Sequence, residues 1–473
     1  MENALNALIH FGIALLVIFI TVSESFGQLS ENYTRHTPLH YAPAPVANPL
    51  KGLVPYAGVG DDVFPHTMEF SYFRFSDLMT GYDTFNWQPV EELLDAVSGR
   101  GRQAIFRIHL EWPNRTDLIP GFLLDDGLKV FKYLNTNTQP HPPSDVETPD
   151  YEDENLRRAF KNFIAALGRR YDGDPRIGFI TAGLLGTWGE WHTYPRDDLF
   201  ASKTVQAEIM DAYEAAFKIT PVLLRYPAGD DDPVYVSNAD RAFGYHDDSF
   251  GWATIPTSDQ GQEWYYMNLL AEAGAAALNK WKTQPIGGEI RPEAWGIIFD
   301  PEPQDSNIQD FRESVDQTHV SWLMDSGMFR EIPGEERMER ALAEVRRMGY
   351  EFHIPSVMTG HDANNTLHVQ VELENRGSAP FYYDWKGEYG LIADGRVIKT
   401  FPAGGTLTGL LPGDSPRIWT DELDVSDVPP GKYILALRVP NPLPAGMPVR
   451  FANAAQDRDV PGWLSLTEVS TRE

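Results

Sequence analysis

Eight short apolar runs, most of them separated by longer amphipathic stretches, constrain this chain more than any other feature. They lie at residues 52–57, 68–75, 103–110, 177–185, 221–226, 242–246, 285–290 and 319–323. Alternation of this kind signals βα units around a parallel sheet. Between the runs, residues 88–98 put Val90, Leu93, Leu94 and Val97 at helical spacing. Residues 152–171 put Leu156, Phe160, Phe163, Ile164, Leu167 and Tyr171 on one stripe, a packing face with no chemistry of its own. Residues 201–218, 262–280, 305–316 and 334–348 read as further helices. Eight units over about 300 residues is the arithmetic of a (β/α)8 barrel, although the first two strands have no clear helix between them. A doubly wound open sheet is the alternative. It is disfavoured because no Gly-x-Gly-x-x-Gly follows a strand and no phosphate-loop motif occurs.

Near residue 350 the texture changes. Residues 367–373 alternate as Leu-His-Val-Gln-Val-Glu-Leu, and runs at 390–393, 396–401, 418–423 and 433–439 follow between Asp-Gly, Pro-Gly-Asp and Pro-Pro-Gly turns. This predicts an all-β sandwich of about 120 residues. Ahead of the barrel, residues 8–21 form an apolar block too short for a confident membrane span, and small residues end at Gly27. The expected organisation is a signal peptide at 1–27, a barrel at 28–349 and an accessory sandwich at 350–473. Localisation is then secreted or extracytoplasmic, with no stable membrane insertion once the leader is removed. The aromatic run Tyr382, Tyr383 and Trp385 suits a domain interface better than a sugar platform.

Composition narrows the chemistry. There is no cysteine, which excludes a disulfide scaffold, a thiolate nucleophile, an iron–sulfur cluster and a Cys-ligated zinc. A net charge of −29 without any basic run argues against a nucleic-acid partner. No Gly-x-Ser-x-Gly elbow is present, which weighs against an esterase.

In a barrel the reactive groups sit at the C-terminal ends of the strands. Those ends carry Arg107, His109 and Trp112 on the third, Trp188, Glu190, Trp191 and His192 after the fourth, and Arg225 on the fifth. The sixth ends in His246 and Asp247, the seventh in Glu289 and Arg291, and the eighth carries Trp322. Glycosidic cleavage needs two carboxylates across a cleft, one protonated and one ionised. Glu190 and Glu289 are the best pair, since each follows glycines that let backbone approach a ligand and strands four and seven face one another across the ring. The tryptophans would stack on sugar rings. The arginines would bind hydroxyls or a sugar carboxylate, and Arg291 would hold Glu289 ionised. A metal site from His109, His192, His246 and Asp247 has no ligand spacing behind it, so neither metal nor cofactor is expected.

At these residues the chain resembles a secreted bacterial glycosidase-like family, domain of unknown function 4832 with its companion N-terminal domain. The matching stretches are Asn48-Pro-Leu-Lys-Gly52, Phe73-Arg-Phe-Ser76, Phe106-Arg-Ile-His109, Gly183-Leu-Leu-Gly-Thr-Trp-Gly-Glu-Trp191, Gly288-Glu289, Pro440, Phe451-Ala-Asn453 and Pro461-Gly-Trp463. The family resembles the clan of retaining (β/α)8 glycoside hydrolases. That resemblance implies an acid/base Glu after strand four (Glu190) and a nucleophile Glu after strand seven (Glu289). In the clan an Asn usually precedes the acid/base, whereas here it is Gly189. The expectation is therefore a glycoside hydrolase acting on a poly- or oligosaccharide. The alternative is a cell-surface barrel that binds glycans without cutting them. The sequence leaves the sugar, the linkage and the oligomeric state open.

Overall fold

The computed structural model describes residues 33–59, 63–138, 141–257 and 261–471. The apolar block at 8–21 and the leader boundary at Gly27 lie outside the described residues.

All eight expected strands form. They are β1 (Gly52–Val54), β2 (Met68–Arg74), β3 (Gln103–His109), β4 (Ile177–Thr181), β5 (Val222–Leu224), β6 (Gly244–Phe250), β7 (Ile286–Ile290) and β8 (Trp322–Met324). They pair in parallel in chain order around one sheet, with β8 returning to β1. A parallel bridge from Tyr56 to Phe70 closes the ring between β1 and β2, held by the Ala57 and Phe70 amides. This is a (β/α)8-type barrel.

The outer helices are α1 (Gln88–Gly99), α2 (Glu154–Tyr171), α3 (Lys203–Ala216), α4 (Tyr266–Glu272), α5 (Phe311–Thr318) and α6 (Glu335–Arg347). Helix α2 forms where its stripe predicts. Asp153 caps it by accepting from the Asn155 and Leu156 amides, and Arg169 and Arg170 sit in its last turn. The stretch at 262–280 is broken into short pieces at Gly274, whose φ of +94° ends the helical path. Strand eight begins at Trp322 rather than 319, because His319 caps α5 with a left-handed φ of 56°. A hairpin of Val130–Asn135 against Ser144–Pro149 fills the loop after β3, where no element was expected.

After the barrel come β9 (Phe352–His353), β10 (Ser356–His361), β11 (Thr366–Asn375), β12 (Lys386–Ala393), β13 (Arg396–Thr406), β14 (Arg417–Asp424), β15 (Gly431–Arg438) and β16 (Leu464–Thr471). They build two antiparallel sheets over one core that includes Val369, Val371, Leu391, Leu435, Leu437 and Leu464. The strand Arg35–Pro38 adds to the edge of β10, so the segment ahead of the barrel belongs to the C-terminal sheet. The aromatic run docks under the barrel. Tyr383 Oη donates to the carbonyl of Gly178 on β4, Tyr382 Oη donates to that of Trp281, and the Tyr383 ring meets Phe179 inside the ring of strands.

Inside the barrel Trp322 stacks on Phe179, with ring centroids 5.9 Å apart. Its indole occupies the space a Cβ at Gly287 would need, 2.1 Å from Trp322 Cε2. Gly287→Ala is therefore expected to cost about 1–3 kcal/mol of stability by overpacking. A denaturant-unfolding midpoint equal to wild type would contradict this packing.

Candidate active site

The C-terminal mouth of the barrel is organised around Arg107. It points inward from β3 and is 2% exposed. Its Nε donates to Thr181 Oγ1 on β4 at 3.1 Å, Nη1 to Glu190 Oε1 at 3.0 Å and Nη2 to Asp248 Oδ1 at 3.1 Å. His246 Nδ1 lies 2.8 Å from Asp248 Oδ1. Burial opposes ionisation of Asp248, yet Arg107, His246 and Arg225 together hold its carboxyl well below the ordinary aspartate range. Arg225 Nε lies 3.7 Å from Asp248 Oδ2, and its guanidinium covers the Tyr226 ring.

Glu190 arrives on a tightly wound loop after β4. Leu184, Trp188 and Trp191 all have left-handed φ between 55° and 71°, a conformation that costs non-glycine residues energy. Three contacts hold that path. The Leu184 amide donates to the Ile108 carbonyl, the Trp188 amide to the Glu111 carbonyl, and the Trp191 indole to the Ala182 carbonyl. Gly186 and Gly189 are needed by the chain's own backbone rather than by a ligand. A Cβ at Gly186 would meet the His192 carbonyl oxygen at 2.4 Å, and one at Gly189 the Ile108 carbonyl oxygen at 2.9 Å.

Glu289 projects from β7 and is 8% exposed. Among the described residues it makes no hydrogen bond or ion pair. Burial, then the neighbouring charges of Asp248 and Glu190, push its carboxyl well above the usual glutamate range, with Arg107 opposing. Arg291 does not serve it, since its guanidinium pairs with Glu293 at 3.0 Å and covers Trp252.

Several other expected site residues come together here. Glu190, Glu289, Arg107, Arg225 and His246 share one cluster, with His192 Nε2 3.6 Å from Glu190 Oε2. Half-buried Trp188 packs edge-on to His192, which meets Tyr226, itself stacked on Tyr235. On another side Trp112 and His109 pack against Tyr72, which leads through Tyr56 to Trp295. Burial, then the charges of Arg115 and Arg107, bring His109 down to about 4, which keeps it neutral.

Asp247 borders the cluster: it accepts from Thr254 Oγ1 at 2.7 Å and from the Ser249 amide at 2.9 Å, and its Oδ1 lies 4.0 Å from Arg225 Nη2. Other expected residues stand apart. Trp191 is packed into the core, and Trp322 lies in the barrel floor at 1% exposure, so neither offers a sugar-stacking face.

Sequence reasoning missed Asp248, Tyr56, Tyr72 and Glu111. Two-residue alternation from His246 points to Asp248, and from Phe70 to Tyr72. The Tyr72 hydroxyl is pushed up by burial first, Glu289 and Glu190 adding to it and Arg107 opposing. Glu111 is wholly buried and accepts from Thr148 Oγ1 at 2.6 Å and from Tyr151 Oη, which in turn accepts from the Gly186 amide. This braces the Glu190 loop against the hairpin. Among the described residues no group of three or more His, Asp or Glu is disposed to hold a metal, and no helix is long and apolar enough to cross a membrane.

No family model matches the chain, so the resemblance to the unknown-function family rests on its motifs. No curated protein matches it either. Among solved structures, the chain is similar to an endo-β-1,4-mannanase from Thermotoga petrophila at 11% identity, over 83% of this chain and 95% of that one, with a TM-score of 0.35. Endo-glycoceramidase II from Rhodococcus sp. matches at 10% identity over 80% and 99%, with a TM-score of 0.39. An endoglucanase from Pseudomonas stutzeri matches at 13% identity over 65% and 97%, with a TM-score of 0.33. The barrel assignment itself rests on the strand pairing described above.

Burial brings the Glu111 carboxyl up to about 7 against the hydroxyl donors that lower it. A carboxyl raised in the folded state stabilises fully below its unfolded value, and that stability is lost as pH rises through the folded value. Wild type is therefore expected to lose roughly 1–3 kcal/mol between about pH 4.5 and somewhat above 7 that Glu111→Gln does not lose. Parallel stability–pH curves for the two proteins would refute the burial argument.

Proposed function

We propose that the protein is a secreted glycoside hydrolase that cleaves a poly- or oligosaccharide with Glu190 and Glu289 as its two working carboxylates. One observation carries the reading. Two carboxyl groups, from β7 and from the loop after β4, meet at the barrel mouth, where the charge of Glu190 adds to burial in raising the Glu289 carboxyl, and their surroundings contrast. Glu190 is ion-paired, while Glu289 is buried with no cation bonded to it among the described residues. Cleaving an acetal requires one acid and one ionised group flanking the bond, and unequal environments produce that division. The aromatic side chains around the pair, Trp112, Tyr72 and Tyr56 on one side and Trp188, His192 and Tyr226 on the other, suit the apolar faces of sugar rings.

Arg107 and Arg225 are each faced by carboxylates, which supports neutral sugar hydroxyls, rather than a uronate, as what this mouth receives. Export belongs to the proposal on the strength of the apolar block at 8–21 and the small residues ending at Gly27.

Wild type and Glu190→Gln incubated with a panel of neutral polysaccharides test the reading. Wild type is expected to release reducing ends from at least one of them, and Glu190→Gln to be slower by at least about 10²-fold. Saturable binding with no product over long incubation would replace hydrolysis with glycan capture.

A further inference from the structure

The rings on one side of the mouth lead outward, away from the two carboxylates. Arg107, 3.0 Å from Glu190, has its guanidinium 5.7 Å from the centroid of the Tyr72 ring. Tyr72 and Tyr56 lie 6.3 Å apart between centroids, and Tyr56 and Trp295 6.2 Å. All three residues are half-buried, so part of each reaches the surface. The Arg330 guanidinium then lies over the Trp295 ring at 5.2 Å. The line thus starts at β3, crosses β2 and the end of β1, and finishes at the loops after β7 and β8.

Between those two loops lies a groove of about 620 Å³, within the size range of small-ligand sites. Arg330 lines it, exposed and with no hydrogen bond or ion pair among the described residues. Its donors are unspent, and the indole beneath it holds the guanidinium at the groove's edge. Ile332 stands in the groove at 85% exposure. Glu331, Glu335 and Glu336 line it as well, again without an ion pair among the described residues. Arg337 is committed to Asp300, with Nη2 2.9 Å from Oδ2. These side chains discriminate between occupants. The carboxylates repel a uronate or sulfated chain. A neutral hydroxyl can donate to them and accept from Arg330. The apolar face of a sugar ring can pack on Ile332. A basic peptide would satisfy the carboxylates and be repelled by Arg330.

We infer that this groove receives a neutral arm of the same glycan chain whose bond lies between Glu190 and Glu289, an assignment that rests on the carbohydrate reading above. Arg330 donates to the arm's hydroxyls from the Trp295 platform, Ile332 packs against a ring face, and the groove carboxylates accept from further hydroxyls. Sugars several units away from the cleaved bond are then held, and affinity rises with chain length until the groove is filled.

Affinity electrophoresis of the full chain tests the groove, with Glu190→Gln present so that no probe is cut. The gels contain galactomannan, hydroxyethylcellulose, xylan or polygalacturonate. At least one of the three neutral polymers is expected to retard the protein, and polygalacturonate is not. For the polymer that binds, calorimetry is expected to give a Kd at least about 10²-fold tighter for its hexasaccharide than for its disaccharide. Adding Arg330→Ala is expected to shrink that ratio by about tenfold, the usual weight of a hydrogen bond to a charged group, and Ile332→Asp to shrink it as well. Both side chains are exposed, and an unchanged unfolding midpoint verifies that each variant is folded. A ratio that neither change alters would overturn the groove assignment and leave the hydrolase reading standing. Retardation by polygalacturonate alone would overturn the neutral arm. No retardation by any polymer, together with no product from wild type, would remove the carbohydrate reading and this assignment with it.

Discussion

One buried guanidinium organises the mouth of this barrel. Arg107 is out of reach of water, so its charge must be neutralised by protein groups, and Glu190, Asp248 and the Thr181 hydroxyl are gathered around it from three directions. A planar fork with several donors can do this where a lysine ammonium could not. The consequence falls on Glu289. With the cation shared between two carboxylates, Glu289 on β7 stands beside negative charge and has no bonded counter-ion among the described residues.

The rest of the fold supplies rigidity to that arrangement. The loop that carries Glu190 takes left-handed turns at Leu184, Trp188 and Trp191, and it is held by main-chain contacts to β3 and by the Glu111–Tyr151 brace to the hairpin. From below, the sandwich seats Tyr383 against β4, and Trp322 fills the floor over the missing side chain of Gly287. The barrel and its C-terminal sheets therefore share one packed boundary under the site.

The barrel was legible because its strands are apolar runs bounded by turn residues, and that pattern survives wherever a strand is buried on both faces. It failed where polar groups enter the interior. Strand β6 runs on to Phe250 through His246, Asp247, Asp248 and Ser249, a stretch that reads as loop by hydropathy alone. Ending that strand at His246 hid the alternation that gives Asp248 to Arg107 and Asp247 to Thr254 and the Ser249 amide. Tryptophan positions were legible as clustered near strand ends, but not their depth. Trp191 and Trp188 are three residues apart on one loop, yet Trp191 is buried with its indole donating to the Ala182 carbonyl while Trp188 is left half-exposed. The glycines beside the two glutamates signalled close approach, and the approaching group proved to be the chain itself.

The claim that charge at the mouth is set through Arg107 is tested most directly by a double-mutant cycle between Arg107→Met and Asp248→Asn, read by denaturant unfolding. Arg107→Met takes the bonded guanidinium from Asp248, and Asp248→Asn leaves Arg107 with Glu190 alone, so each single change is expected to destabilise, while the double change removes this pair and leaves Glu190 and Arg225 in place. The expected coupling is at least about 2 kcal/mol, since truncating one member of a buried pair typically costs about 3–5 kcal/mol. Additive effects, with coupling near zero, would contradict the account.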